Sequence, residues 1–169
     1  MERIHVDQGV IFPRFEEELR SKGCFIVVGN EEPNIMTIGW GTAGIMWGRP
    51  VVMIAVRLSR HSHEKLDGLK EFTVCIPKAG TMAKELVFAG TKSGRDFDKI
   101  KELSLETVPG EKVSVPVLSD CEYAYECKVV YETEMHEAHF DSELKDRHYR
   151  NGDWHTLYFG EIVSCYRMD

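Results

Sequence analysis

Six stretches of this sequence have the composition of β-strands, and their order limits the folds that the chain can adopt. Each is rich in apolar, β-branched or aromatic residues and is bounded by turn-forming residues. They cover residues 23–29, 34–46, 51–58, 71–76, 121–133 and 156–166, with weaker candidates at 105–107 and 112–115. Caps and helical spacing of apolar residues predict short helices at 62–69, 81–89 and 96–103. Because regular β-α-β alternation is missing, the sequence predicts a mainly β fold, an antiparallel barrel with helical insertions.

The composition limits the kind of protein and its compartment. A length of 169 residues suits one domain, and 43% hydrophobic residues can form a core. The net charge of −7 argues against a nucleic-acid partner, because nucleic-acid binders are more often basic. Five cysteines without a C-x-x-C pair favour a reduced compartment. Neither a signal-like N-terminus nor an apolar run of about 20 residues is found, so we expect a cytoplasmic protein that binds no membrane.

Gly39, Gly41 and Gly44 form a G-x-G-x-x-G pattern, which is typical of dinucleotide-binding folds. In those folds a helix follows the glycines, and an acidic residue ends a strand about 20 residues further on. Here residues 45–50 contain a tryptophan, a glycine and a proline, which begin a helix poorly. Glu64 has the right separation but falls within a predicted helix. The glycines are therefore interpreted as part of a strand.

A strand over residues 34–46 carries small side chains along one face. Glycine inside a strand often marks a place where something approaches the backbone closely. A flat ring could lie there against bare backbone N–H groups, and close packing of another strand or subunit would explain the same pattern. Because side chains alternate, one face holds Asn34, Met36, Ile38, Trp40 and Thr42, and the other Ile35, Thr37, Gly39, Gly41 and Ala43.

An anion-binding pattern follows at residues 57–66, which leave a strand and begin a helix. Free N–H groups and the positive end of the dipole attract anions to a helix N-terminus. A phosphate site and a solvated basic turn with Ser62 as an ordinary cap are both consistent with this pattern. Together with a ring on the preceding strand, a phosphate here describes flavin mononucleotide (FMN). The candidate donors are the guanidinium groups of Arg57 and Arg60, the hydroxyls of Ser59 and Ser62, and the rings of His61 and His63.

Five segments of the chain carry a family resemblance. They are residues 34–40, 50–63, 71–74, 93–99 and 152–162. In this order they resemble the flavin reductase-like, FMN-binding split-barrel proteins, and within that family the flavoredoxin branch. The resemblance implies a six-stranded antiparallel split β-barrel with short helical insertions, forming one domain over residues 1–169. It also implies a homodimer with non-covalent FMN near the subunit interface.

The resemblance further implies roles for individual residues. The flavin ring would contact residues 34–40 mostly through their backbone, and the named contacts are Asn34, Met36, Thr37, Ile38 and Trp40. The phosphate and ribityl chain would be held by Arg57, Ser59, Arg60, Ser62 and His63. Ser93, Gly94, Arg95 and Lys99 would close over the cofactor. Ser62 stands where many relatives have threonine, and both side chains carry a hydroxyl.

His155 is the candidate catalytic residue, contacting the flavin ring or a nicotinamide from the closing strand; the alternative is a strand histidine on a half-exposed face. Trp154 separates Asp153 from His155, whereas many relatives have the aspartate and histidine adjacent, so the motif alone does not assign this role. Residues 135–153 form an insertion before the last strand that would cap the flavin or build the dimer contact.

These features predict an oxidoreductase that passes hydride or electrons between NADH or NADPH and flavin or a downstream acceptor. The acceptor would be a redox protein or a flavin-dependent monooxygenase. The alternative is a flavoredoxin-like FMN electron carrier, which a protein partner reduces and which has no nicotinamide site. A binding module without redox function is a further alternative. No metal is expected, because His136, His139 and His148 lie in a charged segment without zinc-ligand spacing.

Overall fold

The computed structural model describes residues 2–169. The strands are β1 Arg3–His5, β2 Cys24–Val28, β3 Asn34–Ile38, β4 Gly41–Met46, β5 Arg49–Arg57, β6 Glu71–Ile76, β7 Thr107–Val108, β8 Val117–Leu118, β9 Tyr123–Glu134 and β10 His155–Met168. The α-helices are α1 Gln8–Ser21, α2 His61–Gly68, α3 Ala83–Thr91, α4 Lys99–Glu102 and α5 Ser142–His148, and a 3-10 helix covers Glu137–His139. None of the helices formed by residues 2–169 has the length and apolar character needed to cross a membrane.

One antiparallel sheet, in the order β3-β2-β6-β9-β10-β5-β4, forms most of the molecule, and β1 pairs with the end of β10. The two outermost strands, β3 and β4, are joined in the chain only by Gly39 and Trp40. Three peptide units span at most about 11 Å, so the sheet must curl until its two edges meet at this link. Among the described strands β3 pairs with β2 and β4 with β5, but not with each other. The expected mainly β, antiparallel fold is confirmed, and the sheet is open between β3 and β4. The sheet has eight strands, so the expected count of six is not confirmed.

The six predicted strand regions all contain strands, but residues 34–46 form two strands instead of one. A single strand could not pair with β2 at one edge of the sheet and with β5 at the other, so the chain breaks at Gly39 and Trp40. The weak strand predicted at 112–115 is wrong. This segment is a loop, because its backbone N–H groups donate to carboxylates instead of to a strand. Those of Lys112 and Val113, with that of Glu111, donate to Glu126, and that of Ser114 donates to Glu71. The prediction at 105–107 overlaps β7 only at Thr107.

Helix α2 lies within one residue of its predicted bounds, whereas α3 is displaced and α4 is shortened. α3 begins two residues later than predicted, because the Thr81 hydroxyl donates to Lys78 in a preceding turn and Met82 becomes the N-cap. α4 begins after Asp98, whose carboxylate accepts from the backbone of Lys101, and lasts one turn. Helix α1 was not predicted, although Asp7 caps it.

Two layers of buried apolar side chains fix the positions of the elements around the split. Alternate residues of β2 face opposite layers, so both faces of this strand are buried. The inner layer contains Cys24, Ile26 and Val28 together with Ile11 and Phe15 of α1. The outer layer contains Phe25 and Val27 together with Leu86 and Ala89 of α3. α3 is thereby fixed against β3, with its last turn beside the start of α2.

Candidate functional site

Two adjoining cavities lie at the split of the barrel, and Arg60 lines both. The first, named here the strand cavity, has a volume of about 210 Å³ and is lined by Met36, Thr37, Ile38, Gly39, Trp40, Ala55, Arg57, Arg60, Gly90 and His155. The second, named here the turn cavity, has a volume of about 240 Å³ and is lined by Asn34, Ser59, Arg60, His61, Ser62, Thr91, Lys92, Ser93, Gly94, Arg95 and Lys99. The two sequence patterns therefore meet in space.

The strand cavity exposes backbone along the open edge of β3. Because β2 is the only partner of β3 among the described strands, backbone groups on the other side of β3 face the split. At Gly39 no atom lies within 4 Å of the position that a Cβ would occupy, so this glycine leaves free space. At Gly41 a Cβ would lie 2.7 Å from the Met53 carbonyl oxygen, so that glycine is required for close packing. Thr37 is covered as well, since its hydroxyl donates to Leu86 of α3 at 2.6 Å. The bare face expected from the sequence is thus confined to the neighbourhood of Gly39.

Two cations, the buried Lys99 and the half-buried Arg60, lie side by side at the turn cavity. Lys99 is only 3% exposed, and its Nζ donates to the Ala89 carbonyl at 3.0 Å. The Arg60 guanidinium donates to the Gly90 carbonyl at 2.7 Å and lies 3.2 Å from the Met36 sulfur. Burial, with the nearby Arg60 charge second, lowers the pKa of Lys99 to about 8, and burial also lowers the pKa of Arg60.

Both cations are incompletely compensated by the protein. Their partners are carbonyls of the last turn of α3, the negative end of its dipole. Within residues 2–169 neither Arg60 nor Lys99 forms an ion pair with a carboxylate. Buried charges are normally paired. An anion in the turn cavity would supply the missing charge, so the residues present fit a phosphate.

The start of α2 adds neutral donors to the same cavity. Its N-cap is Arg60, whose side chain does not cap, so the first-turn N–H groups lack a side-chain acceptor. The buried Ser62 hydroxyl accepts from the Asn34 amide at 2.9 Å, which leaves the Ser62 proton to donate elsewhere. On the opposite wall, Gly94 lies against Asn34 so closely that a Cβ would be 2.1 Å from its Oδ1. Arg95 donates to the Ser59 carbonyl and pairs with Glu64.

Not every residue predicted for the phosphate lies at the turn cavity. His63 lines neither cavity, because its side chain faces β10 and its Nε2 lies 2.9 Å from the Thr156 hydroxyl. The Ser59 hydroxyl lines the turn cavity but donates to Asp153 at 2.7 Å. Arg57 lines the strand cavity instead, where it donates to the carbonyls of Asp153 and His148. It would therefore lie beside the ring and not the phosphate.

His155 lies at the strand cavity, as its expected role requires. It is 7% exposed, and its ring centroid is 4.9 Å from that of Trp40. Its Nδ1 lies 2.7 Å from the hydroxyl of Tyr149. Burial, followed by the charge of Arg57, lowers the pKa of His155 to about 4, so the ring is uncharged at neutral pH.

The insertion over residues 135–153 brings Tyr149 to this site. The ring of Tyr149 stacks on Trp154 with centroids 4.6 Å apart and planes 21° apart, and Phe140 packs against both. The extra Trp154 therefore anchors the insertion and does not displace His155 from the cavity. Tyr149 was missed from the sequence, because it lies in a highly charged segment and only its neighbouring aromatic residues hinted at a packed role.

Comparisons with known proteins bear on the family and the fold. Residues 20–169 match the family model described as the flavin reductase like domain. An uncharacterized protein of Archaeoglobus fulgidus is 34% identical over 144 residues, which are 85% of this chain and 71% of that protein. The flavoredoxin of Desulfovibrio vulgaris (Miyazaki F) has 22% identity and a TM-score of 0.66, covering 84% of this chain and 67% of its own. The NADH:FAD oxidoreductase of Streptomyces globisporus C-1027 has 25% identity and a TM-score of 0.61, covering 85% and 73%. The family match includes every element that lines the two cavities.

Proposed function

We propose that this chain, which belongs to the flavin reductase-like family, binds FMN non-covalently and acts as an oxidoreductase between a nicotinamide cofactor and flavin or a downstream acceptor. One observation carries the proposal: Arg60 lines both a cavity over exposed backbone and a cavity that holds two incompletely compensated cations. A flat ring and a phosphate joined by a short chain match this pair of surfaces. Solved structures of similar fold include proteins named as flavoredoxin and as FMN-binding protein, which supports a flavin cofactor.

The residues divide by cavity. Met36, Thr37, Ile38 and Trp40 would contact the ring, mainly through backbone. Arg60, Lys99 and the first turn of α2, with Ser62, would hold the phosphate. The other residues that would line the phosphate end are Asn34, Ser59, Ser93, Gly94 and Arg95.

The protein would supply position and electrostatics, while a bound flavin supplies the capacity to accept and release a hydride or electrons. Arg57 and His155 place hydrogen-bond donors at the strand cavity. Such donors stabilise negative charge that develops on a ring during reduction. Trp40, with the Tyr149 and Trp154 stack behind His155, limits the access of water to that side.

Binding measurements test the anion assignment. Arg60→Ala is expected to lower the affinity of the flavin-free protein for FMN at least tenfold, since one charge-assisted hydrogen bond contributes about 1.5–3 kcal/mol. The affinity for riboflavin, which lacks the phosphate, should change little. Ser62→Ala should weaken FMN in the same direction, and Arg167→Ala, at the far end of β10, serves as the control. An equal loss of FMN and riboflavin affinity, or no loss of either, would show that the phosphate lies elsewhere.

A flavoredoxin-like electron carrier is the second candidate function, favoured by the flavoredoxin structures of similar fold. Anaerobic mixing of the FMN-loaded protein with NADH and with NADPH separates the two. Rapid bleaching of the flavin absorbance supports a reductase. Persistent absorbance that is lost only when a reduced redox protein is added supports a carrier.

A homodimer is proposed as well, supported by apolar residues at the β4–β5 hairpin. Ile45 and Trp47 are 68% and 56% exposed, and Met46 lies between them. Trp47 packs beside Tyr131, itself half exposed, with ring centroids 6.0 Å apart. A second copy of the chain would cover this surface. The partner that receives electrons from the flavin of this homodimer would be a redox protein or a flavin-dependent monooxygenase.

A further inference from the structure

The surroundings of the Tyr149–His155 pair favour one hydrogen-bond direction over the other. The two groups lie 2.7 Å apart, so either the tyrosine hydroxyl donates to Nδ1 or Nδ1–H donates to the hydroxyl. In the second arrangement the hydroxyl proton would have to bond to the Met135 sulfur, 3.1 Å away. A thioether is a weak acceptor, whereas an unprotonated imidazole nitrogen is a good one. The first arrangement is therefore favoured.

This direction fixes the proton of the neutral imidazole ring on Nε2. Within residues 2–169, no side chain forms a hydrogen bond with Nε2 of His155. In the same residues, every side-chain nitrogen or oxygen atom that is sealed from solvent has a hydrogen-bond partner. Nε2 must therefore be open to solvent, and the open space that His155 lines is the strand cavity.

We propose that Tyr149 is a positioning residue: its hydroxyl donates to Nδ1 of His155 and thereby presents Nε2–H to the strand cavity as an uncharged donor. The interaction with a flavin or nicotinamide there rests on the proposed function, but the proton position does not. The charged and titratable groups that face His155 are Arg57 of β5, His148 of α5, Asp153 and Tyr149. Burial, Arg57 and His148 disfavour protonation, and Asp153 opposes them.

The geometry around Tyr149 shows how the hydroxyl is held in place. The side chain is buried, stacked on Trp154 and covered by the guanidinium of Arg57, whose carbon lies 5.2 Å from the ring centroid. Burial raises the pKa of Tyr149, so the hydroxyl keeps its proton. Tyr149→Phe removes only the hydroxyl and retains the stacking, so its effects can be assigned to the loss of that hydroxyl.

The first experiment needs no flavin. Nitrogen-15 NMR of the histidine-labelled, flavin-free protein should show His155 protonated at Nε2 and not at Nδ1 near neutral pH. In Tyr149→Phe the two tautomers should become mixed and the pKa of His155 should rise by about one unit, the size of one lost hydrogen bond. Tyr123→Phe, at the opposite end of the β9–β10 ladder, should change neither. Protonation at Nδ1 in the parent protein, or an unchanged tautomer in Tyr149→Phe, would overturn the proposal.

The second experiment uses the FMN-loaded protein and asks whether Tyr149 acts through His155. Tyr149→Phe should shift the midpoint potential of the flavin to more negative values, because a donor to the reduced ring is weakened. His155→Gln keeps an N–H donor that has no tautomers, so adding Tyr149→Phe to this variant should cause no further shift. An equal shift in both backgrounds would overturn the proposal. If FMN does not bind at all, the proposed function fails while the tautomer result stands.

Discussion

The glycines between β3 and β4 differ in what they permit, and substitutions distinguish them. Gly39→Val should fold normally but lose FMN affinity by at least tenfold, because its side chain would enter the strand cavity. Gly41→Ala should lower the free energy of unfolding by about 1–3 kcal/mol, since its Cβ overlaps the Met53 carbonyl. Gly44→Val, which also meets open space, should do neither. Chemical denaturation and flavin titration measure both effects. Full FMN affinity in Gly39→Val would contradict the placement of the ring.

Lys99 makes a specific pH dependence expected. Its pKa of about 8 means that the flavin-free protein loses this charge as the pH rises through 8. A bound phosphate anion would hold the proton on, so FMN binding takes up a proton at alkaline pH. The FMN affinity should therefore be constant between about pH 7, where the phosphate is already a dianion, and pH 8, and should fall by up to about tenfold per pH unit above pH 8. Riboflavin should show no such slope.

Lys99→Met should weaken FMN binding and abolish this slope, whereas Lys101→Met, an exposed lysine of the same short helix, should preserve it. A slope that persists in Lys99→Met would assign the titration to another group.

The site residues that sequence patterns alone could bring together are those that lie close to one another along the chain. Residues 34–40 and Arg60 are separated only by a hairpin, so their meeting follows from local patterns. His63 could not be placed that way. Successive helical residues point about 100° apart, so when Ser62 faces the turn cavity the side chain of His63 turns towards β10. Lys99 was assigned to the cofactor only through the family resemblance of residues 93–99, and Tyr149 was missed, because both positions depend on how distant segments pack.

Residues 111–113, in the loop between β7 and β8, are held by one buried carboxylate of β9. Glu126 is fully buried and accepts from the backbone N–H groups of Glu111, Lys112 and Val113 and from the Tyr166 hydroxyl. Glu126→Gln would turn an N–H donor towards N–H donors. We expect a loss of about 3 kcal/mol in the free energy of unfolding, since hydrogen bonds to charged groups contribute about 1.5–3 kcal/mol each.

Thermal and urea unfolding measure this loss, and faster hydrogen exchange at residues 111–113 would locate it in the loop. Glu122→Gln, a partly exposed glutamate just before the same strand, is the control. A Glu126→Gln protein as stable as the control would mean that the loop is held by its other contacts, among them the hydrogen bonds from Ser114 to Glu71.

Strand identity was predictable from the sequence, but the partners of each strand were not. Runs of apolar and β-branched residues, bounded by glycine and other turn-forming residues, predicted the regions of β2, β5, β6, β9 and β10. The break at Gly39 arises only because the curled sheet brings its edges together. Helix α1 has Ile11 and Phe15 four residues apart and an aspartate cap, but Pro13 within it weakened the helical pattern. Its burial against the inner layer compensates for that propensity.

A substitution at the tip of the β4–β5 hairpin can test whether the chain forms a homodimer. Trp47 has φ 53°, in the left-handed region that asparagine and glycine adopt most readily. A large exposed aromatic residue there costs stability in the isolated chain, which is understandable if it contributes elsewhere. The groove lined by Phe12, Phe15 and Leu19 shares Gly39 and Trp40 with the strand cavity, so a partner in that groove would also enclose the ring.

Trp47→Asn separates folding from assembly, because asparagine suits the turn and removes the apolar contact. The monomer should be as stable as before or slightly more so, while light scattering should show the dimer replaced by a monomer. If the second copy encloses the ring in the proposed homodimer, FMN affinity should fall and lose its dependence on protein concentration. Arg49→Asn, in the same hairpin and also exposed, should leave the mass and the affinity unchanged. A parent protein that is monomeric yet binds FMN with concentration-independent affinity would show that one chain encloses the flavin alone.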